Sequence, residues 1–173
     1  MIEKTNLFFD IENLKKECFN LIDQYKLKQN QICLMHSDIC IDKWHDGVGS
    51  LYRKIIENKS KIIKKEYEYN IINEQIKDSY IEYVLKQITQ TYTIFRARFM
   101  VMPPRFCYSW HKDFDKRLHI AIQTNKNCRM VFEEKSYHIP SDGFLYDMNT
   151  TLYHSAFNGD DQLNRIHLVI SKK

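Results

Sequence analysis

Glycine and proline are scarce in this sequence, four and three residues of 173, and nowhere do they gather with serine into a linker. A chain of this size without such a seam is expected to form a single domain. The cysteines, Cys18, Cys33, Cys40, Cys107 and Cys128, are odd in number and contain no Cys-x-x-Cys pair. That argues against a disulfide framework and a structural zinc knuckle, and leaves reduced, buried thiols as the expectation. No apolar run approaches the roughly 20 residues of a membrane span. Met1 to Asn6 lack the apolar stretch of a secretion signal, so a cytoplasmic location without membrane contact is expected. Charge is not strongly biased either, at +4. The lysine-rich run Lys59–Lys65 reads as the solvated side of a polar helical segment, and with no accompanying motif no nucleic-acid partner is expected. Tyr67, Tyr69, Tyr80 and Tyr83 are expected in the core.

What the sequence does contain is a change of period. Ile11, Leu14, Cys18, Leu21, Ile22 and Tyr25 mark one side of a helix over Asp10–Lys26, and Ile76, Tyr80, Val84 and Ile88 mark a second over Asn73–Thr89. Between them, Gln31–Met35 is a short strand, followed by a loop over 36–50 in which His45-Asp46 lacks a third ligand and reads as a polar pair at a substrate-side rim. From Thr93 the period becomes two: Arg96, Arg98, Met100 and Met102 share one face, Phe95, Ala97, Phe99 and Val101 the other. The arginine face looks either to solvent or into a cavity suited to an acidic substrate. Short strands then recur at 117–124, 128–134, 136–139, 143–148, 152–157 and 165–171. The pattern predicts a mainly β fold with flanking helices: a double-stranded β-helix (jelly roll, cupin-like). Within the single domain 1–173, residues 1–92 supply a helical buttress and N-terminal strands, and 93–173 the catalytic core.

Four residues of that core carry chemistry. His111 and Asp113 in Trp110-His111-Lys112-Asp113, with His154, are two imidazoles and one carboxylate, the ligand set that leaves three positions open on a non-haem Fe(II). Arg165, eleven residues beyond His154, is what a dicarboxylate cosubstrate needs. His111 and Asp113 lie just before the alternating Arg117–Ile122, at the mouth of a strand. If 152–157 and 165–171 pair as a hairpin through the turn Gly159–Gln162, His154 and Arg165 project from adjacent strands into one cavity. This set reads as an oxygenase using Fe(II), O2 and 2-oxoglutarate.

Several ordered blocks resemble the aspartyl/asparaginyl β-hydroxylase-like 2-oxoglutarate oxygenases, including small bacterial and phage members. They are Arg96-x-Arg98-x-Met100 before Pro103-Pro104, Trp110-His111-Lys112-Asp113, Arg117-x-His119, Thr124-Asn125, Asp142-Gly143, and Tyr153–Asn158 through Arg165–Val169. The resemblance implies iron ligation by His111 and His154, and a 2-oxoglutarate carboxylate on Arg165. It also implies cosubstrate contact at Arg117 and His119, and it turns Arg96 and Arg98 toward the site, with Trp110 and Asn158 as further substrate-side candidates. Well-studied animal members have glycine where this chain has Asp113, so the full triad implies ordinary facial coordination. The implied activity is hydroxylation of an aspartyl, asparaginyl or other amino-acid substrate, free or in a peptide. The alternatives are oxidation of an unrelated small metabolite, or a jelly roll that binds metal without catalysis.

Overall fold

Alternation along three long strands places most polar and most apolar residues on opposite sides of one sheet, with a bulge at Arg96 that brings Ile94 and not Phe95 to the apolar side beside Ala97, and the rest of the fold follows from covering both sides. The computed structural model describes residues 1–54, 60–62, 65–133 and 135–173. In chain order the elements are β1 (Ile2–Phe8), α1 (Ile11–Gln24), β2 (Gln31–Cys33), β3 (Met35–His36), β4 (Tyr52–Lys54), β5 (Ser60–Ile62), β6 (Ile71–Ile72) and α2 (Tyr80–Thr89). The second half is all strand: β7 (Ile94–Met102), β8 (Phe106–Cys107), β9 (Lys116–Gln123), β10 (Cys128–Phe132), β11 (Lys135–Tyr137), β12 (Phe144–Met148), β13 (His154–Asn158) and β14 (Arg165–Lys172). A six-stranded sheet runs β1-β12-β9-β14-β7-β2, and a four-stranded sheet runs β11-β10-β13-β8, every pairing antiparallel.

Two apolar clusters lie on opposite faces of the larger sheet. On the outer face Ala97, Phe99 and Val101 of β7, Leu118, Ile120 and Ile122 of β9, and Ile166, Leu168 and Ile170 of β14 pack with Leu14 and Cys18 of α1 and with Ile81, Val84, Leu85 and Ile88 of α2. On the inner face Met102, Ala121, Tyr146 and Met148 meet Met130, Phe132 and Ala156 of the smaller sheet. The helices therefore buttress one side and the second sheet closes the other, the jelly-roll arrangement the sequence predicts. Every residue of β14 is buried. The polar side of β9 and β14 does not face water but looks into the space between the sheets.

The helices follow their sequence signals, with one exception. Asp10 caps α1, its carboxylate accepting from the backbone N–H groups of Glu12 and Asn13. The helix expected over Asn73–Thr89 is divided: a 3₁₀ turn spans Glu74–Ile76, Asp78 takes φ 62°, and α2 starts afresh at Tyr80 with Ser79 as its cap. Ser79-x-x-Glu82 is a capping signal inside the longer apolar pattern, and the cap overrides the period. β1 pairs with β12 at the sheet edge. There Gly143, at φ 79°, opens β12, and a Cβ on it would stand 2.3 Å from the Phe9 carbonyl oxygen.

Other expectations are corrected. The last two strands do not form a hairpin: β13 pairs with β10 and β8, while β14 pairs with β7 and β9. The connection between them crosses from one sheet to the other, pinned by Asn158, whose amide donates to the carbonyls of Met102, Pro103 and Leu163. Tyr69 is buried, but Tyr67 and Tyr83 are about half exposed, at 55 % and 51 %. Cys18, Cys33 and Cys128 are buried free thiols, whereas Cys107 is exposed and Cys40 half-buried. In the lysine-rich run, Ser60–Ile62 is strand instead of helix, and residues 59, 63 and 64 lie outside the described residues. Among the described residues no helix is long and apolar enough to cross a membrane.

Leu14 is fully buried where α1 meets the sheet. Leu14→Ala leaves a cavity in the buttress, and urea unfolding is expected to show a loss of about 2–5 kcal/mol.

Candidate active site

The two histidines are brought together by backbone pairing. His111 and His154 form an isolated antiparallel bridge, each N–H donating to the other's carbonyl at 3.0 and 2.8 Å, and their rings stand 4.4 Å apart. The Asp113 N–H donates to the Thr150 carbonyl, which turns its carboxylate to the same point. The ligand atoms of His111, Asp113 and His154 all lie within 4.8 Å of one another. Asp113 Oδ2 is 3.7 Å from His154 Nε2, too long for a hydrogen bond and suited to a shared cation.

The tautomers also fit a metal. His111 Nδ1 lies 2.7 Å from the Ser109 carbonyl and His154 Nδ1 lies 2.9 Å from that of Leu152. A carbonyl only accepts, so Nδ1 carries a proton in both rings, and the nitrogen left to present a lone pair to a cation is Nε2. Burial depresses the pKa of His154, and the stacked ring of Phe132 helps keep its inner side dry. Two imidazoles and a carboxylate therefore converge, which is the donor chemistry a divalent iron requires.

The triad stands in a cavity of about 660 Å³ between the sheets, which Arg165, Arg98, His119 and Met130 also line. Arg165 comes from the larger sheet and His154 from the smaller, so they face each other across the sandwich. Its guanidinium lies 3.3 Å from Met130 Sδ and 3.2 Å from His167 Nδ1, and no carboxylate among the described residues pairs with it. Burial pushes Arg165 down to about 10. His167 is kept neutral first by burial and then by Arg165, so its Nδ1 can accept from the guanidinium. His119 lies beside it, Nδ1 to Nδ1 at 3.3 Å, and burial with the charge of Arg165 depresses it as well.

The remaining arginines divide sharply. Arg117 is fully engaged: it makes a two-pronged contact with Glu66, donates to Ser171 Oγ, and reaches Asp113 Oδ1 at 3.2 Å. Arg96, held at φ 49°, donates to Glu66 and to the carbonyls of Gly47 and Gly49. Arg98 instead has one neutral partner, Gln31 Oε1 at 2.8 Å, and its buried Nε has none. Burial, reinforced by the charges of Arg96 and Arg117, pushes Arg98 down to about 9. Of the two arginines expected on the substrate side, Arg98 is the one left without an anionic partner among the described residues.

Asn158 is occupied at the corner between sheets, its oxygen also accepting from Cys128 Sγ, so the structure makes it a tie of the fold and removes it from the substrate side. Trp110 is half-exposed, parallel to Tyr153 at 6.4 Å, and neither ring is among the residues that line the cavity. His45-Asp46 is not a rim: the imidazole bonds to Asp42 and to the Lys26 carbonyl, Asp46 accepts from Ser37, and Gly49, Ser50 and Leu51 line the cavity in their place. Glu66 is the site residue missed from sequence. It sits in a polar stretch whose pattern carries no sign of burial, and only the 3₁₀ turn Glu66–Glu68, docked through Arg96 N–H to the Tyr69 carbonyl, brings it inside.

Comparison with known proteins agrees with this geometry. The structure is similar to the crystal structure of an oxidoreductase of the 2OG-Fe(II) oxygenase family from Burkholderia pseudomallei, with a TM-score of 0.51 and 12 % identity over 99 % of this chain and 84 % of that one. No curated protein matches the sequence. The aspartyl/asparaginyl β-hydroxylase family matches across residues 57–172, from before Glu66 to the last strand. The chain thus belongs to the aspartyl/asparaginyl β-hydroxylase family and is an oxygenase enzyme.

Proposed function

We infer that the chain acts as one oxygenase domain that hydroxylates a carboxylate-bearing amino-acid substrate, free or within a peptide, with His111, Asp113 and His154 holding the metal. The observation that carries this reading is a buried guanidinium without an anion, Arg165, in the same cavity as three converging donors. A buried cation is costly unless a ligand neutralises it. A metal-binding jelly roll without oxidative chemistry has no use for such a residue. When bound, Fe(II) with 2-oxoglutarate and O2 supplies the oxidising equivalents for hydroxylation, releasing succinate and carbon dioxide.

The chain's own residues then have separable tasks. Arg165 forks onto the far carboxylate of the cosubstrate, and His167 orients the guanidinium from behind. His119, neutral and beside His167, lines the cosubstrate side. Arg117 has its donors committed to Glu66, Ser171 and Asp113, so its contribution to cosubstrate binding is indirect, through the ligand Asp113. Arg98 is the second anion anchor. Val169 opposes Arg98 and Met102 opposes Arg165, so the two arginines are separated by four residues along β14, about 13 Å at strand rise. That spacing leaves one anchor for cosubstrate and another for substrate.

Incubation with Fe(II), ascorbate and 2-oxoglutarate should yield succinate, and a cell extract treated in the same way should yield a product heavier by one oxygen atom. His111→Ala and His154→Ala should each abolish turnover, because removing a ligand from a prearranged triad leaves the metal weakly held. Arg165→Lys keeps the charge and loses the fork, so KM for 2-oxoglutarate should rise 10- to 100-fold, about 1.4–3 kcal/mol, with metal affinity unchanged. Full activity in either histidine variant, or unaltered cosubstrate binding in Arg165→Lys, contradicts the assignment.

Arg98→Ala should impair substrate-coupled turnover while uncoupled 2-oxoglutarate decarboxylation stays measurable. Equal loss of both activities would move Arg98 to the cosubstrate, and unchanged kinetics would remove it from the site. A neutral metabolite as the modified species in the extract would overturn the carboxylate requirement.

A further inference from the structure

We propose that Glu66 is a positioning residue for the metal ligand Asp113, acting through Arg117. The inference rests on the assignment of His111, Asp113 and His154 as the metal site.

Glu66 is 6 % exposed and both its oxygens are engaged. Oε2 accepts from Arg117 Nη1, while Oε1 accepts from Arg96 Nη1 and, at 2.7 Å, from Arg117 Nη2. The same Arg117 Nη2 lies 3.2 Å from Asp113 Oδ1. Asp113 is therefore tethered by one oxygen, leaving Oδ2, 3.7 Å from His154 Nε2, turned toward the triad. Burial alone would raise the Glu66 carboxyl, but the hydrogen bond from Arg117 and the charges of Arg117, Arg96 and Arg98 outweigh it and hold it down at about 2. Glu66 is thus an anion at any working pH.

The charge balance explains why this anion matters to a ligand it never touches. Arg96, Arg98 and Arg117 are all buried around one side of the cavity, and among the described residues Glu66 is the one buried carboxylate. With Glu66 present, Arg117 divides its donors between Glu66, Ser171 and Asp113. Without it, a desolvated guanidinium would be drawn wholly onto Asp113, the nearest remaining anion. Arg117 would then compete with a cation for the same carboxylate. Glu66 keeps Arg117 a tether instead of a competitor, and it does so from a 3₁₀ turn far from the ligands in sequence.

The test is Co(II) titration of purified, metal-free protein, followed by the visible absorption of the bound ion, with folding checked by circular dichroism. Glu66→Gln retains the shape and removes the charge, and is expected to weaken Co(II) binding 10- to 100-fold in a folded protein. The effect should disappear when Arg117 is also removed: Arg117→Gln and the double variant Glu66→Gln/Arg117→Gln should bind Co(II) with the same affinity. Wild-type affinity in Glu66→Gln, or the same fold-loss with and without Arg117, overturns the proposal. Should Glu66→Gln fail to fold, Glu66→Asp, which keeps the charge but shortens the reach, enters the same cycle with a smaller expected loss and the same dependence on Arg117. A failure of the underlying metal assignment would look different: wild type would not bind Co(II), or His111→Ala would bind it as tightly as wild type.

Discussion

The larger sheet is covered on both faces, and most of the molecule's chemistry follows from that one constraint. A strand with one dry face and one wet face can carry any polar residue on the wet side at little cost. Here α1 and α2 cover one face and the smaller sheet covers the other, so the arginines and histidines of β7, β9 and β14 are held out of water. Each must find a partner, lose its charge or wait for a ligand. His119 and His167 lose their charge, Arg96 and Arg117 find Glu66, and Arg98 and Arg165 wait.

That sorting is a physical account of where ligands go. A guanidinium that already holds a carboxylate gains little from another anion, whereas one with only neutral partners gains most of the desolvation cost back when an anion arrives. Arg117 and Arg165 are residues of one type, both buried on adjacent strands of one sheet, and their roles separate solely by what stands next to them. The candidate metal site obeys the same logic with lone pairs in place of charges. Carbonyls of Ser109 and Leu152 hold the Nδ1 protons of His111 and His154, so the nitrogens that face inward are free to ligate.

The arrangement also ties the site to the fold. The candidate ligands His111 and His154 share a backbone bridge, Asp113 hangs from the Thr150 carbonyl, and the crossover that sends β14 to the opposite sheet is fastened by Asn158. A ligand set built this way is prearranged before any cation binds. The half-exposed Phe106 and Phe114 line the cavity, where incoming substrate would meet apolar surface.

Period and residue type were enough, from sequence alone, to determine the helices that cover one face and the succession of short strands, and to single out His111, Asp113, His154 and Arg165 as candidates, since alternation, capping residues and metal-donor types are local properties. Tertiary structure alone decided three other things. It placed β13 and β14 in different sheets, because strand pairing is settled by the closing of the sandwich and not by the turn between neighbours in the chain. It turned Asn158 from a site candidate into a corner tie, and it committed Arg117 while leaving Arg98 open. Finally it brought Glu66 inside from a polar stretch with no apolar pattern. Which carboxylate neutralises which guanidinium depends on what the folded chain encloses together, and a buried charge is recognisable only once its surroundings exist.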